Sequence, residues 1–335
     1  MRHTGLDGGN HPPTLAEVSS NLKAGVDWVG KRDLPDIEEW ADFVAVPELV
    51  HRRLVSRIDE GRCPSLAHAF PLSKPGKAEV RRMAWLHPYD ELYSRIVVGR
   101  VAPAIEAALG PDVFSHRLAA ELPAWSVQDP REAFRLRLAR GKALLADEGC
   151  NALAVTDLRH YYPSITAGVL VEALHRTASP RGAVTLIGEL LRELEAMGAP
   201  AGLPIGPEAS GLLGNILLLS VDEAISDLAQ GHVRYMDDSW MFLQAENEWS
   251  GVYEAYTVSA AALGLEVNTA KVALYEKGSP AAVNAMQHEQ IAYLVSGASP
   301  YRTPETSVED LRAQLDGQEP DWSLVGFHLG SYRPD

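Results

Sequence analysis

Apolar residues along this chain change their spacing several times, and the changes mark out its elements. From Thr14 to about Leu54 they recur at mixed helical intervals, broken by Pro35 and Pro47, which predicts short helices. "FPLSKPGKAEVRRM" then reads as a strand, a basic turn "SKPGK" with Pro75 and Gly76 as breakers, and a second strand. A long helix is predicted from near Pro88, because "DELYSRIVVGRVAPAIEAAL" carries apolar residues three and four apart. "DPREAFRLRLARGKALLADEG" predicts another, with Asp129 as cap, Pro130 in the first turn and Gly149 near the end. "CNALAVTDL" is a short apolar strand ending at Asp157. "ITAGVLVEAL" and "AVTLIGELLRELEAMG" follow as helices, and a Gly/Pro loop, "AGLPIGPEAS", runs into a long apolar helix. "HVRYMDDSWMF" reads as two strands around a charged pair, and "WSGVYEAYTVSAAALGLEVN" as a helix ending at Gly264. Strands are expected beyond Lys271, and one or two short helices in the tail. Residues 1–12, rich in Gly, His and Pro, are expected to lack order.

This succession is an α+β pattern, and 335 residues can bury a substantial core divided among subdomains. No apolar run reaches the ~20 residues that a membrane span needs; the greasiest, Gly211 to Val221, is about half that. The N-terminus lacks the apolar centre of a secretory signal. Two cysteines, Cys63 and Cys150, lie far apart without CxxC spacing, which argues against a zinc site or a disulfide framework. A cytoplasmic protein without a membrane partner is therefore expected.

The net charge of −15 discourages a nucleic-acid reading until its distribution is considered. Residues 51–142 carry 16 basic and 10 acidic side chains, whereas 143–335 carry 10 basic and 26 acidic. A basic island in an acidic protein can bind phosphates locally. Solvated arginine-rich helices explain the same charge equally well.

Adjacent aspartates are poor strand residues, so Asp237 and Asp238 need a reason. A polar hairpin turn is one. A second arises if the strand ending at Asp157 pairs with this hairpin, because three carboxylates then converge. They would raise one another's pKa unless a cation neutralised them. Hard oxygen ligands suit Mg²⁺, which takes one or two protein carboxylates and completes its shell with water and phosphates.

"YMDD" within an apolar hairpin resembles the active-site hairpin of reverse transcriptases. "AVTDLRHYYPSI" is similar to the first metal-binding motif of bacterial members, "GLPIGPEASGLLGNILL" to the next motif, and "LGLEVNTAKV" to the lysine-bearing motif after the hairpin. "FPLSKPGKAEVRRM" and "DVFSHRL" resemble fingers segments. The likeness covers roughly residues 65–295, in the family's order, and is nearest to the defence-associated and abortive-infection group. It implies a right-hand polymerase with an antiparallel palm sheet, a helical fingers region and a thumb that is very short or absent. The expected divisions are a helical segment at 1–50, fingers at 51–150, palm at 151–297 with a helical insertion at about 168–199, and a thumb-like tail at 298–335.

The resemblance implies that Asp157, Asp237 and Asp238 bind Mg²⁺ or Mn²⁺, with Asp238 the least directly engaged. It implies that Tyr162 is a steric gate crowding a ribose 2′-hydroxyl, although Tyr161 competes for that place. Lys74 and either Arg81 or Arg82 would grip the triphosphate, and Lys271 would protonate pyrophosphate. Leu158, Gly206 and Pro207 would line the nucleotide site. Ile205 stands where retroviral members have Gln, which alters nucleotide handling. The implied activity is RNA-directed DNA synthesis from deoxynucleotides, on a template or non-coding RNA, in antiphage defence. Self-association or a partner protein would supply the missing thumb contacts. Alternatives are an untemplated, protein-primed DNA polymerase, an RNA polymerase, and an idle palm that serves as an RNA-binding scaffold.

Overall fold

The computed structural model describes residues 9–29, 40–65, 67–73, 80–120 and 125–286. Three helices open the chain: α1 (Leu15–Val29), α2 (Trp40–Ala45) and α3 (Pro47–Asp59). Thr14 and Glu17 start α1 with a reciprocal capping box: Glu17 N–H donates to Thr14 Oγ1 at 3.2 Å and Thr14 N–H to Glu17 Oε2 at 2.8 Å. β1 (Ala67–Ser73) and β2 (Val80–Leu86) form an antiparallel hairpin as the alternation predicts. The basic turn between them, with Lys74, lies outside the described residues.

The long helix expected from Pro88 is in fact two, α4 (Pro88–Gly99) and α5 (Ala102–Ala108). Pro103 explains the break, since its ring would clash with the carbonyl four residues earlier and it donates no hydrogen bond. Arg100, at the break, donates to the carbonyls of Gly9 at 2.8 Å and His11 at 2.9 Å, and pairs with Glu17 at 2.9 Å. Residues 9–12 are thus tied down rather than without order; residues 1–8 lie outside the described residues.

Short strands β3 (Leu118–Ala120) and β4 (Ser126–Val127) precede α6 (Pro130–Ala146). Asp129 caps α6 as expected, accepting from Arg131 N–H at 2.8 Å and Glu132 N–H at 3.3 Å. There follow β5 (Ala152–Thr156), β6 (Leu158–Arg159), α7 (Tyr161–Ser164), α8 (Ala167–His175) and α9 (Arg181–Ala196). The apolar helix is α10 (Glu208–Leu217) continued by α11 (Leu219–Ser226). β7 (Gly231–Tyr235), β8 (Asp238–Leu243), α12 (Trp249–Ala262), β9 (Glu266–Val267), β10 (Ala273–Glu276) and α13 (Pro280–Met286) complete the described chain. The tail at 298–335 and the end of the preceding segment lie outside it.

The fold is mixed, with many helices and small antiparallel sheets. Its largest sheet has four strands in the order β10-β5-β8-β7, every pair antiparallel. Every residue of α10 is buried, and α10 packs against α4, α5 and α8. The span Glu208–Ser226 is 19 residues long and apolar enough to cross a membrane by length and composition, longer than the run singled out from the sequence. Here it is a core helix: Glu208 pairs with the buried Arg95, and Asn215 and Asp222 join a polar network described below.

Candidate active site

The register of the four-stranded sheet assembles the site. Thr156 is the last residue of β5 and stands opposite Ser239, so Asp157 leaves the sheet at the same end as the β7–β8 turn. Tyr235 pairs with Asp238, which leaves Met236 and Asp237 as a two-residue turn. The structure therefore brings together the three aspartates singled out from the sequence. Asp237 lies at the turn itself and Asp238 opens β8.

Met236 has φ of 54°, a left-handed conformation that costs an L-residue with a side chain about 1–2 kcal/mol. Turns of this length ordinarily place Gly, Asn or Asp in such positions. The strain is held by buried polar groups. Met236 N–H donates to Ser115 Oγ at 2.8 Å, and Arg234 Nη1 donates to Met236 C=O at 3.1 Å. The Arg234 guanidinium also donates to Asn215 Oδ1 at 3.1 Å and to Asp222 at 2.7 Å and 2.8 Å. Ser115 Oγ donates to Asn215 Oδ1 at 3.2 Å, and the Asn215 amide donates to Ser115 C=O. Arg234 is 1 % exposed, and Asn215 and Ser115 are wholly buried. Sequence reasoning missed this network. A lone amide inside "GLLGNILLL" and a lone arginine inside "HVRYM" were the available signals.

The three carboxylates have different surroundings. Asp157 accepts from Asn268 Nδ2 at 3.0 Å and from Lys271 Nζ at 2.7 Å, and its carbonyl accepts from Asn268 N–H at 2.8 Å. Burial opposes the Lys271 charge, but the Asp157 carboxylate outweighs it and holds the ammonium pKa above its usual value. Lys271 is thus an ion-pair partner of the very aspartate it follows in the motif order. Among the described residues no cation pairs with the Asp237 carboxylate. Burial first, then the neighbouring charge of Asp157 and that of Asp238, push its pKa up to about 7. Asp238 is gripped by Arg137 of α6: Nη1 donates to Oδ2 at 3.1 Å, and Nη2 donates to the Asp238 carbonyl at 3.0 Å. Among the described residues no group of three or more His, Cys, Asp or Glu side chains is arranged to hold a metal ion. Two of the aspartates are already paired with cations. Asp157 and Asp238 both lie close enough to Asp237 for their charges to oppose its ionisation.

Tyr161 and Tyr162 have different surroundings. Tyr161 is buried, and its hydroxyl donates to Gly214 C=O at 2.5 Å inside the core. Tyr162 is half-buried, with its hydroxyl 3.9 Å from Met236 Sδ at the turn. Burial, and next the charge of Asp237, raise its phenol pKa. Tyr162 C=O accepts Leu203 N–H at 3.0 Å, which docks the Gly/Pro loop against α7. In that loop Ile205 C=O accepts Ala84 N–H of β2 at 2.8 Å, Gly206 is half-buried, and Pro207 is the buried residue preceding α10. Leu158 is 2 % exposed, pairs with Val267 and packs in the core, which departs from the expectation that it lines an open nucleotide site.

Arg81 and Arg82 are exposed on successive positions of β2, hence on opposite faces. Arg81 is the one whose charge acts on the Tyr162 phenol. Much of the basic block is structural. Arg95 pairs with Glu208, Arg100 with Glu17, Arg117 with Glu106 and Arg140 with Asp112.

No family model matches this chain, and no curated protein does. Among solved structures it is similar to telomerase from Candida tropicalis bound to a TWJ fragment of telomeric RNA, with TM-score 0.47 and 11% identity over 70% of this chain and 45% of that one. The apo telomerase of the same organism gives the same score and identity, again over 70% of this chain and 50% of the other. The chain thus spans about half the length of those proteins.

Proposed function

We propose that this protein is a divalent-cation-dependent nucleotidyltransferase that extends a 3′-hydroxyl with deoxynucleotides, reading an RNA template. The observation that carries the reading is the convergence of Asp157 and Asp237. These residues stand 80 positions apart and meet at one end of the sheet, where the charge of Asp157 opposes the ionisation of Asp237. A pair of carboxylates is what Mg²⁺ asks of a protein when phosphates and water complete its shell, and Mn²⁺ accepts the same oxygen ligands. Asp157 and Asp237 would hold the cation, which would lower the pKa of the attacking hydroxyl and offset charge on the phosphates. Tyr162 sets its ring beside the turn, where it crowds a ribose 2′-hydroxyl and selects deoxynucleotides. Arg81 faces the Tyr162 side of β2 and grips the triphosphate. Lys271, held at Asp157, is the proton source for departing pyrophosphate. Cytoplasmic action against phage with a dedicated RNA belongs to the same proposal and rests on the motif resemblance alone.

The test is incorporation of labelled deoxynucleotides by purified protein with its co-purifying nucleic acid and Mg²⁺. Asp237→Ala is expected to abolish incorporation while leaving the protein folded. Ribonucleotide incorporation at an equal rate would remove the role given to Tyr162. If wild type and Asp237→Ala bind RNA alike and neither incorporates, the scaffold alternative stands instead.

A further inference from the structure

Arg137 belongs to no motif that points to the site, yet it is the residue most heavily built into it. It is 1 % exposed and comes from α6, about a hundred residues before the hairpin. Its guanidinium lies 3.7 Å from the centroid of the Trp240 ring, with Tyr235 at 5.8 Å and Phe134 at 6.0 Å. Tyr235 and Trp240 flank the turn on β7 and β8, so the cation is clasped by the hairpin's own aromatic side chains. From that seat Nη1 and Nη2 reach both carboxylate oxygens of Asp238, each at 3.1 Å, and Nη2 also bonds the Asp238 carbonyl at 3.0 Å. One turn along α6, Gly141 lets the helix lie directly on Trp240, where an added Cβ would stand 2.8 Å from the ring. The helix, the ring and the arginine are therefore fixed as a unit.

A guanidinium keeps its charge at any working pH and matches a carboxylate in a fixed fork. Its cation–π contact adds to that hold in a desolvated setting. The fixed positive charge 3.1 Å from both Asp238 oxygens opposes the approach of a second cation, although Oδ1 accepts no hydrogen bond among the described residues and the side chain is 38 % exposed. We propose that Arg137 is a positioning residue: it latches α6 to the turn through Asp238, fixes where Asp237 stands, and keeps Asp238 out of the coordination shell of the divalent cation. This rests on the function proposed above, in which Asp157 and Asp237 hold the cation, and gives a reason why Asp238 is not a third ligand.

Two measurements decide it. The first is a thermal double-variant cycle on the full chain with Arg137→Met and Asp238→Asn. Arg137→Met alone leaves a carboxylate beside an aromatic box and is expected to lower Tm by about 5 °C. The double variant is expected to regain part of that loss, and losses that simply add overturn the latch. The second is Mn²⁺ binding by titration calorimetry without nucleotide. Asp157→Asn and Asp237→Asn are each expected to weaken Mn²⁺ at least about tenfold, and Asp238→Asn by less than about twofold. An equal loss from Asp238→Asn overturns the proposal. At a temperature where every variant is folded, Arg137→Met is expected to lower kcat about tenfold with KM for the nucleotide unchanged, and Arg137→Lys to recover part of it. A purely structural role would lower only the folded fraction. If wild type binds no Mn²⁺ and incorporates nothing, the proposed function fails, and the thermal cycle still decides the latch.

Discussion

The two long hairpins of this protein are built on opposite plans. β7–β8 closes in two residues and shares β8 with β5. Arg234, Ser115 and Asn215 pin its turn, and Arg137 grips its flank. β1–β2 is a two-stranded sheet that bonds the Gly/Pro loop through Ala84 N–H and presents Arg81 and Arg82 to solvent. The first hairpin holds like charges close together, and like charges do not stay together unless their surroundings force them to. The second carries long flexible cations that need only reach a ligand. Where repulsion has to be overcome, the fold surrounds the turn with buried, hydrogen-bonded side chains; where reach is enough, two strands suffice.

Removing a pin should therefore cost far more in one hairpin than in the other. Arg234→Met would strand Asp222 and Asn215, and breaking a buried pair from one side costs about 3–5 kcal/mol. Urea unfolding is expected to show a loss of that order. Arg82→Met, on the other hairpin, is expected to change stability by no more than about 0.5 kcal/mol. Equal losses would mean that the network does not set the difference between them.

A second contrast is pH dependence, which only the charged turn should show. In the folded protein Asp237 keeps its proton up to about pH 7, while the unfolded chain releases it near the ordinary 3.8. Between those values the folded state binds more protons, so stability falls as pH rises through the window and levels off above it. The predicted loss is on the order of 4 kcal/mol, each unit of pKa being worth about 1.4. His116 and His232, pushed by burial down to about 4, act in the opposite sense below pH 6.5. Thermal melts in chelator should therefore be compared between wild type and Asp237→Asn, whose difference isolates the carboxylate. A difference that does not change between pH 4 and pH 7 would show that Asp237 ionises normally.

How much of this was legible in the sequence depended on how far apart the interacting residues lie. The aspartate corner was readable because strand alternation around "AVTD" and "YMDD" is local, and one pairing step joins the two. The break before α5 was also readable, from Pro103, but apolar spacing on both sides of it suggested a single helix. The choice between Tyr161 and Tyr162 was not readable. Which ring turns inward depends on the position of α10, whose Gly214 carbonyl receives the Tyr161 hydroxyl. The Ser115–Asn215–Arg234 network was half readable. A polar residue in an apolar run announces that it needs partners, but partners about a hundred residues away are named only by the tertiary fold. Arg137 is the extreme case, one arginine among several in "REAFRLRLAR".

A smaller effect tests how tightly the rigid hairpin's support is packed. A Cβ added to Gly211 would overlap the His116 ring, which would have to move. His116 follows Ser115, whose hydroxyl receives the Met236 amide. Gly211→Ala is expected to destabilise the protein by about 1–3 kcal/mol, the usual range for overpacking, and to lower incorporation beyond the loss of folded protein. Unchanged unfolding would show that His116 has room to give way and that the turn is not held through it.

The smallest effect separates the two exposed arginines. They stand on opposite faces of β2: Arg82 shares a face with the buried Ala84 and Leu86, and Arg81 with Met83 and Trp85. Of the two, Arg81 is the one whose charge acts on the Tyr162 phenol. Neither side chain supports the fold, and both Arg81→Ala and Arg82→Ala are expected to leave stability within about 0.5 kcal/mol of wild type. Steady-state incorporation should separate them. Arg81→Ala is expected to raise KM for the deoxynucleoside triphosphate about tenfold, the equivalent of about 1.4 kcal/mol of lost phosphate contact. Arg82→Ala is expected to raise it less than about twofold. Equal rises would mean that the hairpin attracts the triphosphate as a diffuse positive surface. A difference confined to Arg81 would mean that even the two-stranded hairpin aims one cation at the charged turn.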